Sequence, residues 1–131
     1  MSVGIRISRS KDRKRIFRII HRIFPRANQS FSKNNLYFLA IKKGDDAGFL
    51  HLVLEKKEIL LQGIGVKKEW RGQGIGTELL ETAVEYAEAQ GKDMLLKVRP
   101  ENAAALNLYA KKAFTIKKLR DCYILQRKIN T

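Results

Sequence analysis

The rhythm of apolar and polar positions changes along the chain, and each change predicts an element. Alternation over residues 3–7 reads as a short strand. From 11 to 24 the period lengthens. Ile16, Ile19, Ile20 and Ile23 fall on one side with arginines elsewhere, which predicts a helix capped by Ser10 and ended by Pro25. Residues 26–35 are polar and read as a loop or a short second helix. Runs at 36–42, 49–55 and 58–66 read as three strands. Gly44-Asp45-Asp46 and Lys56-Lys57 supply short turns between them, so an antiparallel meander is expected.

A helix beginning at about Ile75 dominates the second half. Ile75, Leu79, Ala83, Tyr86 and Ala87 share one face, Glu78, Glu81, Glu85 and Glu88 line another, and Gly91 stands where a helix end favours glycine. The compact apolar strand at 94–98 is set to lie parallel to the 58–66 strand through this helical crossover. Asn102 is a fitting N-cap for a second helix over 102–113, and 115–119 and 122–127 read as two closing strands. No internal repeat, low-complexity tract or linker interrupts the pattern.

Composition narrows the class. A chain of 131 residues with 44% apolar content suits one domain, 1–131, around one core. No apolar run approaches the length of a membrane span and no signal-peptide-like segment opens the chain, so no membrane partner is expected. Cys122 is the single cysteine, which rules out an intramolecular disulfide and fits a reducing cytoplasm; with no catalytic His to accompany it, it reads as a structural thiol. The net charge of +14 is uneven: the first 35 residues hold ten Lys/Arg against the single acid Asp12, +9 of the total. Such a region concentrates anions, whether nucleic acid, an acidic acceptor or cofactor phosphates, or it is a solvated helix face that keeps the protein soluble.

Candidate chemistry gathers between the 58–66 run and the long helix, where residues 71–76 read Arg-Gly-Gln-Gly-Ile-Gly. Strand, glycine-rich turn and helix together offer unpaired N–H groups and a helix dipole to a phosphate. Gly72, Gly74 and Gly76 let an anion approach the main chain closely. A Walker loop is absent, because no Gly-Lys-Ser/Thr closes the turn, and the glycine spacing also fails the dinucleotide-binding fingerprint.

Arg71-x-x-Gly74-x-Gly76 does resemble the pyrophosphate-binding signature of the GNAT acetyltransferase superfamily. Downstream, residues 98–114 (Val-Arg-Pro-Glu-Asn-Ala-Ala-Ala-Leu-Asn-Leu-Tyr-Ala-Lys-Lys-Ala-Phe) resemble the family's second signature, an Asn early in a helix and a Leu-Tyr near its end. The likeness covers about 47–128 and is closest, in this second motif, to the branch that acetylates protein N-termini. It implies an α/β (α+β) fold: a mixed, mostly antiparallel sheet of about six to seven strands, flanked by helices and splayed between two parallel strands at a cofactor cleft.

The resemblance also implies roles. Acetyl-CoA would lay its pyrophosphate on the N–H groups of Gly72, Gln73, Gly74, Ile75 and Gly76, with Arg71 and the Thr77 hydroxyl as further donors. Its pantetheine arm would bond to backbone near Ile64 and Val66, where Gly63 and Gly65 mark a bulge or a close approach by another backbone. Asn102 is expected to cap its helix and bond the cofactor arm, and Tyr109 to donate a proton to the CoA sulfur. No metal is implied. Two positions depart from the pattern. Lys97 stands where the N-terminal branch carries a glutamate base, leaving Glu58, Glu55, His51 or a water chain for that role. Ala113 replaces the glycine before Phe114, so a differently shaped helix end is expected there.

The resemblance further implies a primary amine as acceptor, on a protein N-terminus, a lysine or a small molecule, handled by a monomer or homodimer. The alternative class is a non-enzymatic nucleic-acid binder on the same scaffold, which the basic N-terminal region favours. Its sparse aromatics, Phe17, Phe24 and Phe31, count against it.

Overall fold

The computed structural model describes residues 4–28, 31–119 and 123–129. Val3 and Cys122, assigned by sequence to the first and last strands, lie outside the described residues. The elements run β1 (Ile5–Ser10), α1 (Arg13–Ile23), β2 (Asn35–Lys42), β3 (Asp45–Leu54), β4 (Glu58–Val66), a 3-10 turn (Lys68–Trp70), α2 (Ile75–Gln90), β5 (Asp93–Val98), α3 (Ala103–Ala110), β6 (Thr115–Leu119) and β7 (Tyr123–Arg127). The seven strands form one sheet in the order β1-β2-β3-β4-β5-β7-β6. Every neighbouring pair is antiparallel except β4–β5, which is parallel as the helical crossover requires.

Alternation along β3 shows how the sheet buries both faces. Phe49 joins Tyr37 and Leu39 of β2 in packing against Ile16, Ile19 and Ile20 of α1. Leu50 and Leu52, one residue out of step, belong to the larger core with Ile75, Leu79, Leu80, Ala83 and Ala87 of α2. The apolar face predicted for α2 is thus the buried one, with Leu80 added and Tyr86 half-buried beside Phe38. Its acidic stripe is partly used: Glu81 pairs with Lys112 at 2.8 Å and Glu88 with Arg127 at 2.5 Å.

Three boundaries differ from the sequence reading, each for a local reason. Ser10 does not cap α1, because it is still paired with Tyr37 as the last residue of β1. Asp12 takes the role, its Oδ1 accepting from the Arg15 N–H at 3.1 Å. The turn after β2 is Lys43-Gly44 alone, with φ of 51° and 77°, the pair of positive angles that matches the twist of a two-residue hairpin. Asp45 and Asp46 therefore enter β3, opposite Lys42 and Ile41. Finally, α3 ends at Ala110, and Ala113 does adopt the left-handed conformation (φ 65°) that glycine would favour. The helix end therefore turns as it would with glycine there, at a cost in strain, where a different shape was anticipated.

The ladder between β4 and β5 is short. It holds Glu58↔Asp93, Ile59↔Met94 and Leu60↔Leu95, and then the strands part. Beyond that point β4 stays with β3 as far as Val66↔Gly48, while β5 stays with β7 as far as Val98↔Tyr123. A bulge adds to the divergence, since His51 faces Gly63 but Leu52 faces Leu61, leaving Gln62 as the extra residue of β4.

Candidate active site

The glycine turn is built to present amides. The first bond of α2 runs from the Glu78 N–H to the Gly74 carbonyl at 3.0 Å, so the N–H groups of Ile75, Gly76 and Thr77 have no partner within the helix. Gly74, at φ 84°, carries no side-chain cap, and Gly72 sits at φ 78°. A Cβ at either would meet nothing within 4 Å, so the space before these amides is open. The turn is anchored from behind. Trp70 Nε1 donates to Asp45 Oδ2 at 2.7 Å and Lys67 Nζ to Asp45 Oδ1 at 3.2 Å. The Trp70 bond, helped by Lys67, holds the Asp45 carboxyl below its usual range. Lys42 Nζ reaches Gln73 Oε1 at 2.5 Å, and Arg71 Nε donates to the Val66 carbonyl at 3.1 Å.

Two cavities meet beside the parting strands. One, of about 680 Å³, is lined by the glycine turn, by Val66 and Thr77, and by Asn102 with the first turns of α3. The other, of about 660 Å³, is lined by the residues after α1, by Phe49 and His51 of β3, and by Lys97 and Tyr109. Ile23, Phe24 and Ile64 line both. The first cavity gathers every predicted cofactor residue except Gln73, which faces Lys42, and Tyr109. Tyr109 lines the second.

The candidate residues differ in how they are held. Tyr109 is 6% exposed with its ring against Phe114, and burial raises its hydroxyl above the usual value. No hydrogen bond engages that hydroxyl among the described residues. Asn102 caps α3, its Oδ1 accepting from the Ala105 N–H at 3.2 Å, which leaves its Nδ2 group for a ligand. Glu55 and Glu58 close the β3–β4 hairpin, where the Glu55 N–H meets the Glu58 carbonyl, and line neither cavity. His51 does line one, 6% exposed, with Nε2 2.7 Å from Asn35 Oδ1. Burial lowers its pKa to about 4, so the ring is neutral near pH 7.

Gly63 stands at the bulge, one of the two readings its place in the strand allowed, and it also makes room for a ring. A Cβ there would stand 3.2 Å from Cε2 of Phe49, so the missing side chain makes room for an aromatic ring from the neighbouring strand. Sequence reasoning also missed Ile23, Phe24 and Phe49 as walls of the cavities and Asp45 as the anchor of the turn. The sole tryptophan, Trp70, was the available signal that the approach to the turn is packed.

Comparison with known proteins shows the family and the fold. The model of the acetyltransferase (GNAT) family matches residues 9–114. The ribosomal protein bS18-alanine N-acetyltransferase of Escherichia coli (strain K12) is 32% identical over 105 residues, 76% of this chain and 71% of that protein. Among solved structures, the ribosomal-protein-S18-alanine N-acetyltransferase from Escherichia coli superposes with a TM-score of 0.83 at 24% identity, over 97% of this chain and 95% of that one. Arabidopsis thaliana Naa50, in complex with the bisubstrate analogue CoA-Ac-MVNAL, gives 0.79 at 20%, over 97% and 100%. The matched residues take in both signatures and the whole lining of the two cavities, and the chain belongs to the GNAT family of acetyltransferases.

Proposed function

We propose that the protein transfers the acetyl group of acetyl-CoA to a primary amine, foremost a protein N-terminus. The observation that carries this reading is the early end of the β4–β5 ladder at Leu60↔Leu95, which leaves strand-edge backbone unpaired among the described residues where the two cavities abut. The amides at the start of α2, which have no partner within the helix, and the open space at Gly72 and Gly74 suit a diphosphate. Arg71, Gly72, Gln73, Gly74, Ile75, Gly76 and Thr77 hold that group, Ile64 and Val66 offer backbone to the pantetheine arm, and Asn102 adds its free amide. Acetyl-CoA, when bound, supplies the activated acyl carbon.

The chain's own groups then handle charge and protons. Backbone N–H near Ile64 stabilises the oxyanion as the amine nitrogen bonds to the acyl carbon. As the C–S bond breaks, Tyr109 gives its proton to the sulfur and regains one, through solvent, from the nitrogen. An α-amine, with a pKa near 8, needs little help to reach its neutral form, so Lys97 in place of a carboxylate is no obstacle. Relatives named for a ribosomal-protein alanine and a peptide conjugate favour protein N-termini over small amines.

The nucleic-acid reading draws on a charged region that is less free than its composition implies. Arg15 grips Asp46 through Nε at 2.8 Å and NH2 at 2.6 Å, and Arg22 pairs with Glu69 at 3.0 Å. Calorimetry with CoA, followed by a screen of peptides and small amines that reads free thiol release, tests the proposal. Binding with micromolar affinity and turnover of at least one amine are expected. Absence of heat at millimolar CoA overturns it.

A further inference from the structure

The cavity on the acceptor side has an unusual balance of charge. Its walls are largely apolar, with Ile20, Ile23, Phe49 and Leu61 among them. Two cations line it, Arg26 just after α1 and Lys97 on β5, and no Asp or Glu does so among the described residues. Three other cations are matched by acids, Arg15 with Asp46, Arg22 with Glu69 and Lys67 with Asp45, while Arg71 and Lys42 at the glycine turn bond the Val66 carbonyl and Gln73 instead. Arg26 and Lys97 make no ion pair among the described residues, and both are exposed. Lys97 points there by strand alternation, since Leu96 and Val98 beside it are buried in the α2 core.

From this charge balance we infer that the acceptor carries a carboxylate next to its amine, bound by Lys97 and Arg26 while the amine faces Ile64. The inference rests on the transferase reading above and specifies its substrate. Two unmatched positive charges in a cavity with apolar walls repel an ammonium ion and favour the neutral amine, which is the nucleophilic form. They equally favour an anionic neighbour, which restores neutrality on binding and fixes the orientation of the amine. An amine flanked by further cations is excluded by the same field. The chemistry is shared by two sources, a peptide whose second residue is acidic and a free amino acid.

Matched pairs of acceptors separate these sources and test the inference. The peptide arm compares Ala-Glu with Ala-Gln at the N-terminus of otherwise identical amidated peptides; the other arm compares free alanine with alaninamide. In at least one arm the acid should exceed its neutral partner about tenfold in kcat/KM at low salt, the effect of one charge pair worth about 1.4 kcal/mol. The ratio should shrink toward one in Lys97→Gln and fall below one in Lys97→Glu, with melting temperature and CoA affinity unchanged. Equal turnover of acids and neutral partners, or an acid preference that survives Lys97→Gln together with Arg26→Gln, overturns the inference. Those outcomes leave the transferase itself standing, because amines are still acetylated. Loss of CoA binding in the unmodified protein would strike the underlying reading instead.

Discussion

Phe49 occupies the space that a side chain at Gly65 would need: a Cβ there would stand 2.8 Å from Cε1 of the ring. Ile23 Cγ2 and Phe24 Cε2 close the same space at 3.0 Å each, so the wall shared by the two cavities is packed across a bare stretch of β4. The ring cannot yield easily, because it is buried and its edge meets Phe24 at 6.0 Å between centroids.

Gly65→Ala should therefore overpack this wall and destabilise the protein by about 1–3 kcal/mol in urea unfolding. Phe49→Leu, costly alone, should recover part of that loss in the double variant, giving a coupling of opposite sign. Equal stability of Gly65→Ala and the parent would show that the ring moves aside freely.

Ala113 offers the reverse experiment. It holds φ 65° because the turn after α3 returns the Phe114 N–H to the Tyr109 carbonyl at 3.2 Å. Ala113→Gly removes the Cβ clash, worth about 1–2 kcal/mol, and adds the entropy of a more flexible unfolded chain, about 0.5–1 kcal/mol. A net gain of about 0.5–1 kcal/mol in denaturant midpoint analysis is expected. Destabilisation would mean that the strain is relieved in some other way.

What was legible in the sequence followed periodicity and glycine. The α2 face, the strand runs and the turn at 72–76 depend on local repeats and on φ, and both leave a mark in the residue order. The family fold, including the parting of β4 and β5, came from two motifs read together. What stayed hidden depends on partners distant in sequence. Nothing around Gly65 announces Phe49, and nothing in Gly44-Asp45-Asp46 says that Asp45 will receive Trp70 and Lys67. Ser10 failed as a cap for the same reason, since its pairing with Tyr37 is a property of the sheet.

The glycine turn predicts a separation of binding from stability. Gly74→Ala puts a methyl group into open space, so it clashes with no protein atom, but φ 84° strains it by about 1–2 kcal/mol. The same methyl stands before the amides assigned to the diphosphate. CoA affinity should drop at least about tenfold by calorimetry, more than the modest loss of stability accounts for. Unchanged affinity would remove the turn from the cofactor site.

Tyr109→Phe isolates the proton donor. The hydroxyl has no partner among the described residues, so its loss should leave stability within about 0.5 kcal/mol. If it donates to the leaving sulfur, kcat falls about a hundredfold with the KM for acetyl-CoA little altered. Burial raises the Tyr109 pKa above 10, so the parent enzyme should lose activity on an alkaline limb beyond that value, and the variant should lack this limb. Parent-like kcat across the whole pH range would end the assignment.

His51 predicts how stability responds to acid. Asn35 Nδ2 donates to Ser32 Oγ at 2.7 Å, which fixes Asn35 Oδ1 as acceptor and puts the His51 proton on Nε2. Stacked on Tyr37 with centroids 4.2 Å apart, the ring is buried in its neutral form, and desolvation lowers its pKa from 6.5 to about 4. Between those values the unfolded chain binds a proton that the folded one does not. Unfolding free energy should therefore be level above pH 6.5, fall as pH drops toward 4, and level off below it, a total loss of about 3 kcal/mol. Carboxylates such as Asp45 add their own loss at lower pH, so the decisive quantity is the difference between parent and His51→Gln. That difference should change across pH 6.5 to 4, with the variant losing less, and a flat difference would mean that the folded protein protonates His51 as easily as water-exposed imidazole.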